Sequence, residues 1–96
     1  MQLTEVIFLD CTLGQVVTSI AGRDADKRFI VIKVIDESYV FISDGDLRRI
    51  EKPKKKKVKH LRFTEDIIES IHDKLEKKLK ITNSEIKKAL EITLDE

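Results

Sequence analysis

Nine basic residues and a single acid, Glu51, occupy residues 48–62, RRIEKPKKKKVKHLR, a local formal charge of +8. The flanks are acidic. Residues 1–47 hold four Lys/Arg against eight Asp/Glu and residues 63–96 hold six against nine, so the chain as a whole is only +1. Crowding like charges costs self-repulsion that a polyanion relieves, and nucleic-acid phosphate is the commonest such partner. A planar guanidinium fits phosphate and guanine edges. The run Lys54, Lys55, Lys56 and Lys57 instead supplies unordered point charges that follow a backbone without reading it, with Lys52 as a further candidate RNA contact. Arg48 and Arg49 are adjacent, so alternation turns them to opposite faces and at most one serves a given surface. His60, flanked by Lys59 and Arg62, is placed to stack on a base or meet phosphate, with strand-end packing as its ordinary role.

Other chemistry lacks a constellation. His60, His72 and Cys11 have no metal-ligand spacing, and Asp24, Asp26, Asp44 and Asp46 read as turn formers before they read as magnesium ligands. No Ser, Cys or Lys is paired with a recognisable base, and the three glycines contain no P-loop or dinucleotide fingerprint. The expectation is a chain without catalysis, cofactor or metal. Tyr39, Phe41 and Phe29 offer a base-stacking platform or core, and core is favoured: with four Phe, one Tyr and no Trp, a small barrel needs its aromatics inside.

These groups need a scaffold, and 96 residues allow one small domain with an aliphatic core. A single cysteine excludes an internal disulfide and fits a reducing compartment. No run approaches the roughly 18 apolar residues of a membrane span, and Glu5 and Asp10 stand where a signal peptide carries positive charge, so a cytoplasmic protein is expected. Three strand-like segments, GQVVTSIAG, KRFIVIKVID and SYVFISDGDLRRI, are separated by turns at residues 22–24 and 36–38, and Asp44-Gly45 favours a tight hairpin. Residues 29–35 are apolar on both faces, with Ile30, Ile32 and Val34 on one and Phe29, Val31 and Ile35 on the other. That pattern predicts a central strand with a barrel interior on one side and another element over part of the other. Residues 3–9, LTEVIFL, read as a leading strand or docking segment, and Val58, Leu61 and Phe63 as a last short strand.

Beyond them the period becomes helical. Ile67, Ile68, Ile71, Leu75 and Leu79 predict a first helix, with Thr64 as N-cap and Glu65 and Asp66 in its first turn. Thr82-Asn83-Ser84-Glu85 has capping-box form, and Ile81 and Ile86 a hydrophobic staple, marking the start of a second helix. The predicted architecture is mainly β with C-terminal α: a small barrel over residues 1–64 and a two-helix hairpin over 65–96. In the hairpin, pairs such as Asp73/Lys77 and Glu76/Lys80 neutralise each other, which suits support or a protein partner rather than RNA.

Leu13 to Ile42, LGQVVTSIAGRDADKRFIVIKVIDESYVFI, resembles a KOW motif, and the following SDGDLRRIEKPKKKKVKHLRFT extends the likeness to residues 13–64. Gly14, Ala-Gly-Arg-Asp at 21–24, the Asp-Gly pair and Lys-His-Leu at 59–61 occur in the expected order. The segment is similar to the archaeal and eukaryotic large-subunit ribosomal protein of the fourteen-e type and to small bacterial KOW-domain RNA-binding proteins. The resemblance implies an SH3-like β-barrel that binds ribosomal or other structured RNA, with Arg23, Lys27 and Arg28 near the RNA-facing turn. Asp24 and Asp26 depart from it by placing two acids there. The rival expectation is a protein-interaction module whose lysines merely solubilise, and PKKKKVK also resembles a nuclear-import signal, which requires a nucleated host.

Overall fold

The computed structural model describes residues 11–94. Strands β1 (Gln15–Ser19), β2 (Arg28–Val34), β3 (Tyr39–Ser43), β4 (Lys54–Lys57) and β5 (Leu61–Ile67) form one antiparallel sheet in the order β4-β3-β2-β1-β5. Two helices follow, α1 (Glu69–Glu76) and α2 (Asn83–Leu94). The proposed leading segment at residues 3–9 lies outside the described residues.

A three-residue 3₁₀ turn, Val58–His60, joins β4 to β5, which are opposite edges of the ladder. Laid flat, five strands would separate their edges by about 19 Å, whereas the step from Lys57 to Leu61 spans at most about 14 Å. The sheet must therefore curl until its edges approach. Register shifts in β2 between Val31 and Lys33, and between β1 and β5, supply the local bending. No ladder joins β4 to β5 among the described residues, so the sheet is curved but open.

The curl creates two cores. Val17, Phe29, Val31, Val40, Ile42 and Leu61 are buried together without any helical residue, on the concave face. On the convex face Val16 and Ile30 pack with Ile71, Ile81, Ile86, Ala89 and Leu90 of the helical region. Strand β2 is thus central and covered on both faces at residues 29–31, as its two apolar sets predicted, but Val34 and Ile35 are exposed, because the shift between Val31 and Lys33 breaks the alternation.

Local chemistry sets the helix positions. The Thr82 hydroxyl accepts from Glu85 N–H at 3.2 Å while Glu85 Oε1 accepts from Thr82 N–H at 3.2 Å, and Ile81 and Ile86 are both buried, so capping box and staple form as read. The first helix differs from expectation. Thr64 is not its N-cap but part of β5, where its hydroxyl donates to Val16 O at 2.8 Å and its carbonyl accepts from Gln15 Nε2 at 2.9 Å. These bonds repair the irregular β1–β5 register, and α1 begins five residues later at Glu69, with Ile68 as N-cap and no side-chain cap. It also stops early. Lys78 adopts φ 59°, and Lys78 N–H and Leu79 N–H bond back to Leu75 O and Lys74 O, closing the helix before Leu79, which is left exposed.

The Asp-Gly pair likewise opens a longer connection than a tight hairpin, with residues 44–53 separating β3 from β4. Its first turn is closed by Asp44 N–H to Arg48 O at 3.0 Å, and Asp44 Oδ1 accepts from Asp46 and Arg48 N–H. The loop stays long because it receives α2: Asn83 Oδ1 accepts from Ile50 N–H at 2.8 Å, and Asn83 Nδ2 donates to both Glu51 oxygens.

Candidate functional site

The expectation of unordered lysines is corrected. Lys54–Lys57 is strand β4, paired with β3 in the register Tyr39↔Lys57, Val40↔Lys56, Phe41↔Lys55 and Ile42↔Lys54. Pairing residues share a face, so Lys54 and Lys56 lie with Ile42 and Val40 toward the concave core, while Lys55 and Lys57 lie with Phe41 and Tyr39 on the convex face. Charge on this unpaired edge also discourages pairing with another chain. Lys56 is half-buried and its ammonium donates to Ala21 O at 2.9 Å, tying the edge strand to the turn that carries Arg23. That turn uses Gly22 at φ +83°, and a Cβ there would meet only the Lys56 ammonium at 3.4 Å. Backbone conformation, not space, requires glycine.

On the convex face Lys55 Nζ stands 4.7 Å from the Tyr39 ring centroid, a cation–π contact. Lys33 is paired with Phe41 from β2, so Lys33, Phe41 and Lys55 form one cross-strand row beside Tyr39 and Lys57. A shallow cleft of about 370 Å³ bounded by Glu37, Ser38, Tyr39, Lys57, Val58 and Lys59 lies at one end of this stripe. At the other, a concavity of about 530 Å³ is lined by Arg48, Arg49, Lys52, Lys54 and Lys55 with Leu47. Together these residues make a cationic surface running past two half-buried aromatic rings.

The remaining predicted residues divide. Arg48 is bonded to buried Asp24, whereas Arg49 is exposed and 3.5 Å from Glu51. Exposed Lys59 lines the cleft, while His60 is half-buried in the 3₁₀ turn with its carbonyl accepting from Ile20 N–H at 2.9 Å. Arg28 and Arg62 flank Thr18 across β2, β1 and β5. Arg28 is engaged elsewhere, its Nη2 donating to Thr93 Oγ1 at 2.8 Å, and it shares a depression with Lys27, Lys87, Asp26, Asp46 and Glu91, where acids offset bases. The fold therefore gathers much of the basic segment 48–59 along one stripe, while Lys27 and Arg28 line a different depression.

The residues missed as surface groups are Tyr39, Phe41 and Lys33. Phe29 is fully buried, but Tyr39 and Phe41 are half-buried on the face opposite Val40 and Ile42. Strict alternation in Tyr-Val-Phe-Ile was the available signal, because period two separates aromatic from aliphatic positions.

Two carboxylates near the helices are held below the ordinary glutamate range. Glu51 is lowered chiefly by the Asn83 amide, and Glu85 chiefly by Lys74, with the Thr82 backbone adding to it. Among the described residues no group of three or more His, Cys, Asp or Glu is placed to hold a metal ion, and no helix is long and apolar enough to cross a membrane. No protein-family model matches the chain.

Proposed function

We propose that this protein is a non-catalytic RNA-binding module whose curved sheet is of the SH3-like, KOW type and whose partner is ribosomal or another structured RNA. The carrying observation is the lysine run fixed as edge strand β4, with its convex-face lysines continuous with basic concavity and cleft. Fixing these charges on a strand spares the ordering cost that a free lysine loop meets on binding, and the roughly 6.5–7 Å between alternate residues of a strand suits tracking a phosphate chain. Lys56 brings the Ala21–Asp24 turn to the same edge, supporting the KOW-like arrangement. The helices stabilise the convex face, and their balanced charges leave RNA to the strands and the loop before β4. Cytoplasmic location goes with this reading.

The test is a salt titration of binding to a structured RNA. Phosphate contacts release counterions, so log K should fall linearly with log salt, with a slope of about 0.7–0.9 per contact. Affinity that is insensitive to salt would favour the protein-interaction alternative.

A further inference from the structure

Resting on that reading, we infer that Tyr39 and the cleft beside it form a subsite for an unpaired nucleotide, which makes single-stranded segments the preferred part of the RNA. The cross-strand geometry puts three kinds of group within one nucleotide's reach. Tyr39 supplies a half-buried ring held by the β3 backbone, with its neighbour Phe41 two residues along on the same face. Lys55, Lys57 and Lys33 surround the rings through register pairs. Glu37 and Ser38 at the β2–β3 turn and Lys59 beyond β4 bound a cleft of about 370 Å³, open to solvent and large enough for a nucleotide.

The ring has a role that duplex RNA cannot use. Bases in a helix are already stacked and turn only their edges outward, whereas an unpaired base offers a π-face to Tyr39 regardless of its identity. The Lys55 ammonium over the ring marks that face as reachable by a cationic group. When a base takes this place, Lys55 moves to the nucleotide's phosphate, so its charge is retained in the complex. Lys57 and Lys59 meet the adjoining phosphates along the cleft. Glu37 repels phosphate at its own margin of the cleft and directs the backbone toward the lysines.

The chain supplies its own reporter: Tyr39 is its single tyrosine and there is no tryptophan, so tyrosine emission reads this position alone. Oligouridylate should quench the emission in step with binding, while a fully paired RNA duplex should bind without quenching. Tyr39→Phe should keep oligouridylate affinity within about twofold, whereas Tyr39→Leu, which keeps a bulky strand-compatible side chain, should lose roughly 5- to 100-fold on oligouridylate and little on duplex, without changing the salt slope. Unquenched emission at saturating oligouridylate, with binding still steeply salt-dependent, would overturn this inference and leave the RNA-binding reading intact. An equal loss on both RNAs by a Tyr39→Leu protein that melts like wild type would do the same. If the intact protein binds neither RNA, both fall.

Discussion

Arg48 donates from Nε at 3.1 Å and Nη2 at 2.9 Å to the same oxygen of Asp24, pinning the loop after β3 to the turn after β1. The two ends of this pair are unequally buried: the Asp24 side chain is 7% exposed and that of Arg48 31%. Removing the cation strands a carboxylate away from water, whereas removing the anion leaves a guanidinium that water can reach. Arg48→Met should therefore destabilise by about 3 kcal/mol and Asp24→Asn by only roughly 1 kcal/mol, measured by urea unfolding. The reverse ranking would mean that Arg48 acts chiefly as a surface cation and is available to RNA.

Gly45 tests how the helices are seated. With φ +76°, a Cβ at this position would lie 2.3 Å from Asn83 O and 3.1 Å from Lys87 N, both backbone atoms of α2. Neither can yield as a flexible side chain would. Gly45→Ala should cost about 2 kcal/mol or more, from left-handed strain plus overpacking, and should loosen α2 from the loop before β4. Hydrogen exchange should show faster exchange in α2 than in β2. If the Gly45→Ala protein melts within a degree or so of wild type, a shift of at most a few tenths of a kcal/mol, the seating is wrong.

Where local chemistry decided the structure, the sequence was legible. Thr82 to Glu85 marked a helix start because cap and staple residues act within five positions of one another, and the two apolar sets disclosed a strand covered on both faces at residues 29–31, though not at Val34 and Ile35. Long-range terms hid the rest. Thr64 looks like an N-cap in sequence, yet its hydroxyl is used by Val16, 48 residues away, to mend a register shift that no local pattern records. Leu79 continues the helical period, but the left-handed turn at Lys78 ends the helix first. Four successive lysines look too repulsive to be a strand; pairing with β3, the Ala21 carbonyl and the Tyr39 ring together order them. The same pairing decides which lysines share a face with the aromatic rings, information absent from a run of identical residues.

That division of faces predicts unequal roles within the run. Lys55 and Lys57 lie on the convex stripe, whereas Lys56 already holds the Ala21 carbonyl. Replacing Lys55 and Lys57 with Gln should flatten the slope of log K against log salt by about 1.4–1.8, the value for two lost phosphate contacts, and leave thermal stability nearly unchanged. Lys54→Gln with Lys56→Gln should instead lower stability modestly and flatten the slope less. Equal slopes from the two double variants would show that face does not matter and that the run acts as an undivided cloud of charge.

Acid should loosen the helices before it unfolds the concave core. Glu85 Oε2 meets Lys74 Nζ at 2.6 Å, joining α1 to α2, and Glu51 accepts from Asn83 Nδ2 at 2.9 and 3.1 Å, joining the loop before β4 to α2. Both carboxyls are held below the ordinary value of 4.5, Glu85 chiefly by Lys74 and Glu51 chiefly by Asn83. A carboxyl whose folded pKa is depressed contributes stability that is present above its unfolded pKa and is lost as pH falls through the folded one. The contribution is thus complete at neutral pH and disappears below the usual glutamate range. Glu51 is well exposed and Glu85 partly so, so salt should weaken it as well. Comparing thermal midpoints of the wild type and the Glu51→Gln, Glu85→Gln double variant across pH isolates the effect. The wild type should melt higher at neutral pH, and the gap should close on acidification as its two carboxyls become protonated. A gap that persists undiminished in acid would mean that side-chain shape, and not charge, joins the helices to each other and to the loop.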